Sequence, residues 1–310
     1  MKPAPIVIMA YKRVDYLRQT LEAIEKNSLA NQSDLIVYSD GPKYPENSTD
    51  VANIKLLREL VLSKQWCKNV KLVISDTNKG LNNAFFDGIT EVMNTYGKAI
   101  VLEEDILVSP NFLEFMNDAL NMYENEKNVF HISGCLFKIK TTDLPPSFFL
   151  SVANTWGWAT WKDRWDKLIR DPAEIMDEII KKNAYNRLTL DNAEPDYWHQ
   201  LKANVDGKMD TWDIKWFASI VVNNGLILYS NSNMVENIGF DGSGTHFKNG
   251  SMGLDTKINL RKIKLVKQNV EENKTAKKEL IRFFKNNKAG IFQRIREKLF
   301  LIFTGKLPQN

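Results

Sequence analysis

The first hundred residues alternate short apolar runs with segments of helical periodicity, and this alternation restricts the fold more than any other feature of the chain. The four apolar runs cover residues 5–10, 34–38, 70–74 and 98–102. Between the first two runs, in the segment 14–27, Leu17, Leu21 and Ile24 recur at helical spacing. Strands that alternate with helices form parallel sheets, because each helix carries the chain back across the sheet. We therefore predict a Rossmann-like α/β fold whose mostly parallel central sheet is flanked by helices.

The pattern changes after residue 105. We predict a helix over 111–126 and further strands at 129–133, 148–152 and 227–229. Residues 239–253 contain five glycines among Ser, Thr and Asn, which is typical of a mobile loop.

Cysteine usage and hydropathy indicate a cytoplasmic protein. Cys67 and Cys135 lie far apart, with no CxxC or Cys/His grouping to suggest a disulfide framework or a zinc site. The apolar stretch 6–10 is too short for a signal peptide, and no run of about 18 apolar residues is present to span a bilayer. Membrane contact, if it occurs, is expected to be peripheral.

Charge divides the chain into two unequal parts. Residues 256–310 contain 15 Lys and Arg against 4 Asp and Glu, a net charge of +11, whereas residues 1–255 carry −7. In the segments 276–288 and 290–303 apolar residues alternate with basic ones, which predicts basic amphipathic helices. Such helices could bind an anionic membrane surface or pack on the rest of the chain. Nucleic-acid binding is not expected, because no recognition motif is present and most of the chain is acidic.

Three adjacent acids, Glu103, Glu104 and Asp105, follow the fourth apolar run. The carboxyl ends of strands in an open α/β sheet form the ligand crevice, and a desolvated carboxylate needs a neutralising partner. A divalent cation would supply one, since Mg²⁺ and Mn²⁺ bind carboxylates and phosphate oxygens together. The alternative is a solvated acidic turn before the helix that follows Pro110.

Two further polar residues follow strands. Asp40 ends the second strand, where it could accept hydrogen bonds from a nucleoside or form an Asx turn with Gly41 and Pro42. Arg13 follows the first strand and could pair with a phosphate or a carboxylate.

Several of these segments together resemble the nucleotide-sugar half of GT-A glycosyltransferases, in particular bacterial family 2 sugar transferases and the N-acetylglucosaminyltransferase I group. The segments are 6–13, 37–41, 78–81 and 100–112. The resemblance extends over about residues 5–246, and the acidic strand end followed by Ser-Pro-Asn-Phe is its most specific part. It implies a GT-A catalytic domain at 1–255, with a nucleotide-sugar-binding half at about 1–110 and an acceptor half at about 111–255, followed by a basic helical tail at 256–310.

The resemblance also implies roles for individual residues of the donor site. Asp105 corresponds to the acid that contacts the metal, and Glu104 to the acid that holds the sugar or ribose. Arg13 and Asp40 correspond to residues that line the nucleotide pocket, and Lys79 lies near the diphosphate side. For Lys79 the alternative is an exposed turn lysine. Glu-Glu-Asp stands here where many relatives have Asp-x-Asp.

The acceptor half offers three more candidates. Trp158 belongs to a cluster of four Trp between residues 156 and 165, and we expect it to lie near the site, with Trp161 and Trp165 mostly in the core. Asp213 matches the general base of the inverting enzymes, with Asp210 as a second candidate; a capping acid at a helix start is the alternative for Asp213. His246, in the glycine-rich loop, is expected to reach the metal or the diphosphate; a solvated loop histidine is the alternative.

These observations predict a metal-dependent, inverting glycosyltransferase that transfers a hexosyl or N-acetylhexosaminyl group from a nucleotide-diphosphate sugar to a glycan hydroxyl. The cofactor would be Mn²⁺ or Mg²⁺, and the acceptor a glycan or lipid-linked glycan of polysaccharide biosynthesis at the inner face of the cytoplasmic membrane. One alternative is a noncatalytic carbohydrate- or nucleotide-binding protein of the same fold. Another is a sugar-phosphate nucleotidyltransferase, whose Gly-rich signature after the first strand is absent, since Tyr11, Lys12 and Arg13 occupy that place.

Overall fold

The computed structural model describes residues 2–194, 196–239 and 257–287. Its first half contains β1 (Ile6–Ala10), α1 (Val14–Glu25), β2 (Asp34–Ser39), α2 (Ser48–Leu62), β3 (Asn69–Ile74), α3 (Leu81–Tyr96), β4 (Lys98–Glu103), β5 (Ile106–Val108), α4 (Phe112–Met122) and β6 (Val129–Ser133). Its second half contains β7 (Ser147–Leu150), β8 (Trp158–Trp161), α5 (Lys162–Trp165), α6 (Pro172–Lys181), α7 (Tyr185–Leu188), α8 (Asp196–Val205), α9 (Trp212–Val222), β9 (Leu226–Ser230), β10 (Val235–Asn237) and α10 (Lys274–Asn287).

Eight of these strands form one sheet in the order β3-β2-β1-β4-β8-β6-β9-β7. Strands β1 to β4 are all parallel to one another, and β6 is parallel to β9, whereas β8 and β7 pair antiparallel with their neighbours. Four of the seven strand pairs are therefore parallel. The prediction of an α/β fold with a mostly parallel sheet flanked by helices is confirmed.

Apolar side chains cover both faces of the sheet. One face packs against α1, α2 and α4 through residues such as Leu21 and Leu57. The other face packs against α3, α6 and α9 through residues such as Phe85 and Ile220. Because β1 and β4 are buried on both sides, they are continuously apolar in sequence, and their polar residues come only where the strands end.

The described part of the basic tail packs against the rest of the chain. Residues 257–273 run as an extended segment that buries Ile263 and Leu265, and α10 follows with Ala276, Leu280 and Phe284 in the core. Of the two modes open to the helix predicted over 276–288, the structure thus shows packing on the chain itself. The second predicted helix, over 290–303, lies outside the described residues. Within the described residues, no helix combines the length and the apolar character needed to cross a membrane.

Candidate donor and acceptor site

The carboxyl ends of β1, β2 and β4 lie side by side at one edge of the sheet. Met9 of β1 is opposite Glu103 of β4, and the Asp40 N–H donates to the carbonyl of Ala10 over 3.2 Å. The residues that follow these strands, including Arg13, therefore meet at one place, as the crevice of an open α/β sheet requires.

Arg13 bridges two of the three acids at the end of β4. Its Nε donates to Glu104 Oε1 over 2.9 Å, and its Nη2 lies 2.7 Å from Asp105 Oδ2. The Arg13 side chain is 20% exposed, and the two carboxylates are 10% and 9% exposed. The side chain of Thr20, on α1, fixes the same corner by donating to the Glu104 carbonyl over 2.8 Å. The acidic turn is thus held by a guanidinium rather than solvated.

The three acids at the end of β4 affect one another's protonation. Burial raises the pKa of Glu103 well above its ordinary value, and the negative charges of Asp105, Glu104 and Asp213 add to the effect. Burial also raises the pKa of Glu104, although Arg13 opposes the shift. Burial opposes the charged form of Arg13 itself, yet the two paired carboxylates raise its pKa. Arg13 therefore stays a cation and is the main neutralising charge among the described residues.

Asp40 and Lys79 meet through the backbone of Lys79. The Asp40 carboxylate accepts from the Gly41 N–H over 2.9 Å, and from the Lys79 N–H over 2.9 Å to Oδ1. The Lys79 side chain is exposed. The structure therefore brings Asp40 and the backbone of Lys79 together, and this contact joins the end of β2 to the loop before α3.

The chain returns to the acids just before the glycine-rich loop. Strand β10 pairs with β5, the Ile238 N–H donates to the Asp105 carbonyl over 3.0 Å, and Gly239 follows. A Cβ on Gly239 would lie 2.0 Å from Asp105 Oδ2 and 2.8 Å from Arg13 Nη1, so only glycine allows this approach. The loop thus starts directly against the Arg13–Asp105 pair. His246 lies outside the described residues.

Asp213 lies near the same acids and comes from the second half of the chain. It stands in the first turn of α9, beside Trp212, whose ring stacks on Phe85 of α3 with centroids 4.1 Å apart and planes 13° apart. This stack joins α9 to the helix that covers β1 and β4. Asp213 lies close enough to Glu103 to raise its pKa. The second candidate, Asp210, is 72% exposed and pairs with the buried Lys215 at 2.8 Å.

Trp158 is buried among aromatic side chains that include Trp212, the neighbour of Asp213. It lies on β8, a strand between β4 and β6, and its side chain is 1% exposed. Its ring stacks on His131, with centroids 5.0 Å apart, and also contacts Trp212 and Trp216. The indole is thus enclosed by other aromatic rings next to α9, and a contact of Trp158 with the donor stays a prediction. Trp161 and Trp165 are buried in the core, as predicted.

The described residues do not fit a preformed divalent cation site. Among them, no group of three or more His, Cys, Asp and Glu side chains is arranged to hold a metal. Asp105 Oδ2 is already enclosed by Arg13 and the backbone of Gly239, and Glu104 Oε1 is bound by the same guanidinium. A divalent cation at this place would therefore have to share the Asp105 carboxylate with Arg13.

Two residues near the end of β4, Thr20 and Glu103, were not predicted from the sequence to take part in the site. Thr20 appears in the sequence as an ordinary residue of an amphipathic helix, and only its contact with the Glu104 carbonyl reveals its positioning role. Glu103 receives no separate role from the sequence, yet burial affects its pKa strongly. Its place as the last residue of a continuously apolar strand was the available signal.

Comparisons with known proteins give distant structural similarity. No protein-family model and no curated protein matches the sequence. Among solved structures, residues 1–349 of S. aureus TarS are similar at a TM-score of 0.39 and 8% identity, over 74% of this chain and 59% of that chain. An active-site mutant of LgtC is similar at a TM-score of 0.41 and 11% identity, over 73% of this chain and 72% of that chain. Because both TM-scores are below 0.5, the functional proposal rests on the residues of this chain.

Proposed function

We propose that the protein is an inverting glycosyltransferase that takes its sugar from a nucleotide-diphosphate donor. The observation that carries the proposal is that Arg13, Asp40, Glu104 and Asp105 follow the carboxyl ends of adjacent parallel strands, with Asp213 of α9 near enough to the preceding acid, Glu103, to raise its pKa. This is where an open α/β sheet binds nucleotides. It is also the set of residues that the GT-A resemblance assigns to donor binding and catalysis.

In this proposal Asp213 is the general base. An inverting transfer needs one carboxylate to take the proton from the acceptor hydroxyl while that oxygen attacks the anomeric carbon, opposite the departing diphosphate. The carboxylate stands in the first turn of α9. The attack forms one C–O bond as the other breaks, and no covalent enzyme intermediate is needed.

Arg13 and Asp40 serve the donor. The leaving diphosphate gains negative charge as the glycosidic bond breaks, and a nearby guanidinium stabilises that charge. Arg13 is partly buried, charged and adjacent to the acids, so it is placed for this role. Asp40, held by the N–H of Lys79, would accept hydrogen bonds from the nucleoside. Glu104 would accept one from a hydroxyl of the ribose or the sugar.

The proposal includes a divalent metal that enters the site together with the donor. Mg²⁺ and Mn²⁺ bind one or two protein carboxylates together with substrate phosphates, so a cation that enters with the donor would use Asp105, with His246 as its second protein contact. When bound, the metal would neutralise charge on the departing diphosphate.

A thermal-shift panel tests the proposal. The full chain is melted with UDP, GDP, ADP, CDP and their common sugar conjugates, each with Mg²⁺, with Mn²⁺ and with EDTA, because ligands of the folded state raise its stability by mass action. One nucleoside diphosphate and its sugar conjugate should raise the melting temperature in a concentration-dependent way. A panel with no stabilising member would contradict the proposal.

A further inference from the structure

Asn82 is a buried side chain whose polar atoms have no partner. The residue is 5% exposed, and among the described residues neither Nδ2 nor Oδ1 has a hydrogen-bond partner. Asn117, equally buried at 5%, shows the usual state: its Oδ1 accepts from the Ala4 N–H over 2.7 Å, and its Nδ2 donates to the Leu113 carbonyl over 2.8 Å. An unpaired buried amide destabilises a folded protein, so its presence here calls for a functional explanation.

Asn82 stands at the positive end of a long helix. It is the second residue of α3, which has 16 residues, and the N-cap residue Gly80 provides no side-chain capping bond. Gly80 has a φ of 76°, and a Cβ there would meet no neighbouring atom of the described residues within 4 Å, so the chain is open on that side of the N-cap residue. The first-turn N–H groups and the helix dipole favour an anion at such a position.

The same place lies between the two halves of the proposed site. On one side, three residues before Asn82, the Lys79 N–H binds the Asp40 carboxylate. On the other side, one turn further along α3, Phe85 stacks on Trp212, the neighbour of Asp213. Residues three apart share a helix face, so Asn82 lies on the Phe85 side of α3, displaced toward the carboxyl ends of the strands.

We propose that the N-terminus of α3 and the Asn82 carboxamide bind the diphosphate of the nucleotide-sugar donor. The amide N–H donates to a phosphoryl oxygen, and the amide oxygen accepts from an adjacent hydroxyl of the donor, so the ligand satisfies both atoms that the protein leaves unpaired. This proposal rests on the proposed function and assigns the diphosphate subsite within it.

One substitution at Asn82 should lower the affinity for a diphosphate without lowering the melting temperature. Asn82→Leu keeps the shape of the side chain but removes the unpaired amide, so the full chain without ligand should melt at the same or a higher temperature. Its affinity for inorganic pyrophosphate, and for the nucleoside diphosphate that stabilises the wild type, should fall roughly 10-fold to 100-fold, the usual effect of losing a hydrogen bond to a charged group. Both quantities are measured by thermal shift and by calorimetric titration.

The control is the neighbouring amide. Asn83 is exposed, and its Nδ2 donates to the Lys79 carbonyl over 3.1 Å. Asn83→Ala should leave the diphosphate affinity within about twofold of the wild type, since an exposed side chain at this helix end is not part of the subsite. Asn82→Ala provides a second variant in case the leucine does not fold, and it should lose affinity in the same way.

The outcomes separate this proposal from the proposed function. A lower melting temperature with unchanged diphosphate affinity in both Asn82 variants would show a purely structural amide and overturn the proposal, while wild-type turnover of a nucleotide sugar would leave the glycosyltransferase function standing. Pyrophosphate binding that depends on Asn82, without binding of any nucleotide sugar, would support the subsite and overturn the proposed function.

Discussion

At the scale of single residues, Asp210 and Asp213 differ in what surrounds their carboxylates. Asp210 is largely exposed and already pairs with Lys215, whereas Asp213 lies near the acids that end β4. A base must sit within reach of the acceptor hydroxyl at the reaction centre. The structure therefore favours Asp213 over Asp210 for that role.

Asp213→Asn should lower the rate of sugar transfer roughly 10²-fold or more, because the amide cannot take the proton, while donor affinity stays near the wild-type value. Initial rates at saturating donor and acceptor, beside a donor titration, measure both. Asp210→Asn is the matched control and should retain most of the activity. The reverse ranking of the two variants would move the base to Asp210.

From the burial of His131 we predict that the unfolding free energy of the protein depends on pH. Burial lowers its pKa to about 3, although the Asn154 carbonyl opposes the shift, and its Nδ1 accepts from Trp216 Nε1 over 3.2 Å. Between its ordinary value of 6.5 and 3, the unfolded chain binds a proton that the folded chain does not. The contribution of neutral His131 to the unfolding free energy is thus fully present above about pH 6.5 and is lost as the pH falls toward 3.

His131→Phe should flatten this dependence. The variant keeps a ring against Trp158 but cannot titrate, so the loss of unfolding free energy between pH 7.5 and pH 5 should be smaller than in the wild type by about 2 kcal/mol. The unpaired Trp216 N–H should lower its stability at pH 7.5. Urea unfolding at both pH values measures the difference, with the exposed His199 changed to Gln as control. Equal slopes for wild type and His131→Phe would show that His131 is not the titrating group.

Residue types near strand ends could be identified from the sequence, but their partners could not. Arg13, Asp40 and Asp105 are recognisable because polar residues directly follow buried strands, and parallel topology brings such ends together. The burial of Trp158 could not be predicted, because the density of aromatic residues along the chain says nothing about which strand the residue joins. Its burial depends on β4 and β6, which are distant in sequence.

At the scale of elements, the turn after β4 is held by one guanidinium. Arg13→Gln would leave Glu104 and Asp105 buried without their cation, and breaking such a pair typically costs about 3–5 kcal/mol of unfolding free energy. Adding Glu104→Gln to Arg13→Gln should restore part of this loss. Urea unfolding of the three variants and the wild type measures these effects.

The control for Arg13 is an exposed ion pair. Lys127 pairs with Asp163 at 2.7 Å, with side chains 66% and 48% exposed, and Lys127→Gln should cost no more than about 1 kcal/mol. Similar losses for Arg13→Gln and Lys127→Gln would contradict the assignment of Arg13 as the main counter-ion of the acids.

The packing of α10 predicts a contribution of the tail to stability. Leu280 is fully buried, and Leu280→Ala should lower the unfolding free energy by about 2–5 kcal/mol. Leu260, in the extended segment before α10, is 71% exposed, and Leu260→Ala should change it by no more than about 0.5 kcal/mol. Equal, small effects would show that α10 does not pack on the domain in solution.

Local periodicity predicted the first four strands to within a residue at each end, because each is a single apolar run that ends at polar residues. It did not predict β8. That strand is four residues long, begins and ends with Trp, and passes directly into α5, so the pattern of apolar residues resembles a helical face. Its extended form is decided by pairing with β4 and β6 rather than by its own sequence.

At the scale of the whole molecule, the basic charge of the tail faces outward where the structure describes it. The exposed positions of α10 include Lys274, Lys278, Arg282 and Lys285, which recur at helical spacing on the face opposite Leu280. We propose that this face contacts an anionic membrane surface, where each basic residue contributes on the order of 1 kcal/mol. Such contact would bring the site to a lipid-linked acceptor.

Vesicle sedimentation tests the membrane contact. The full chain should sediment with phosphatidylglycerol vesicles at low salt and be released at high salt, because the attraction is electrostatic. Changing Lys278, Arg282 and Lys285 together to Glu should reduce binding at low salt. The same three charge reversals at the exposed Lys55, Lys71 and Lys127 should reduce it much less. No sedimentation of the wild type at low salt, or equal losses in both triple variants, would contradict the proposal.

The central claim is that the corner formed by Arg13, Asp40, Glu104 and Asp105, with Asp213 beside it, transfers sugar from a nucleotide donor. The most direct measurement is the release of nucleoside diphosphate from a panel of nucleotide sugars by the full chain, with Mg²⁺ and Mn²⁺ present and a mixture of glycan acceptors. We predict release from one donor, with loss of at least about 10²-fold in Asp213→Asn and weaker donor binding in Asp105→Asn. No release from any donor, or release that neither substitution changes, would contradict the claim.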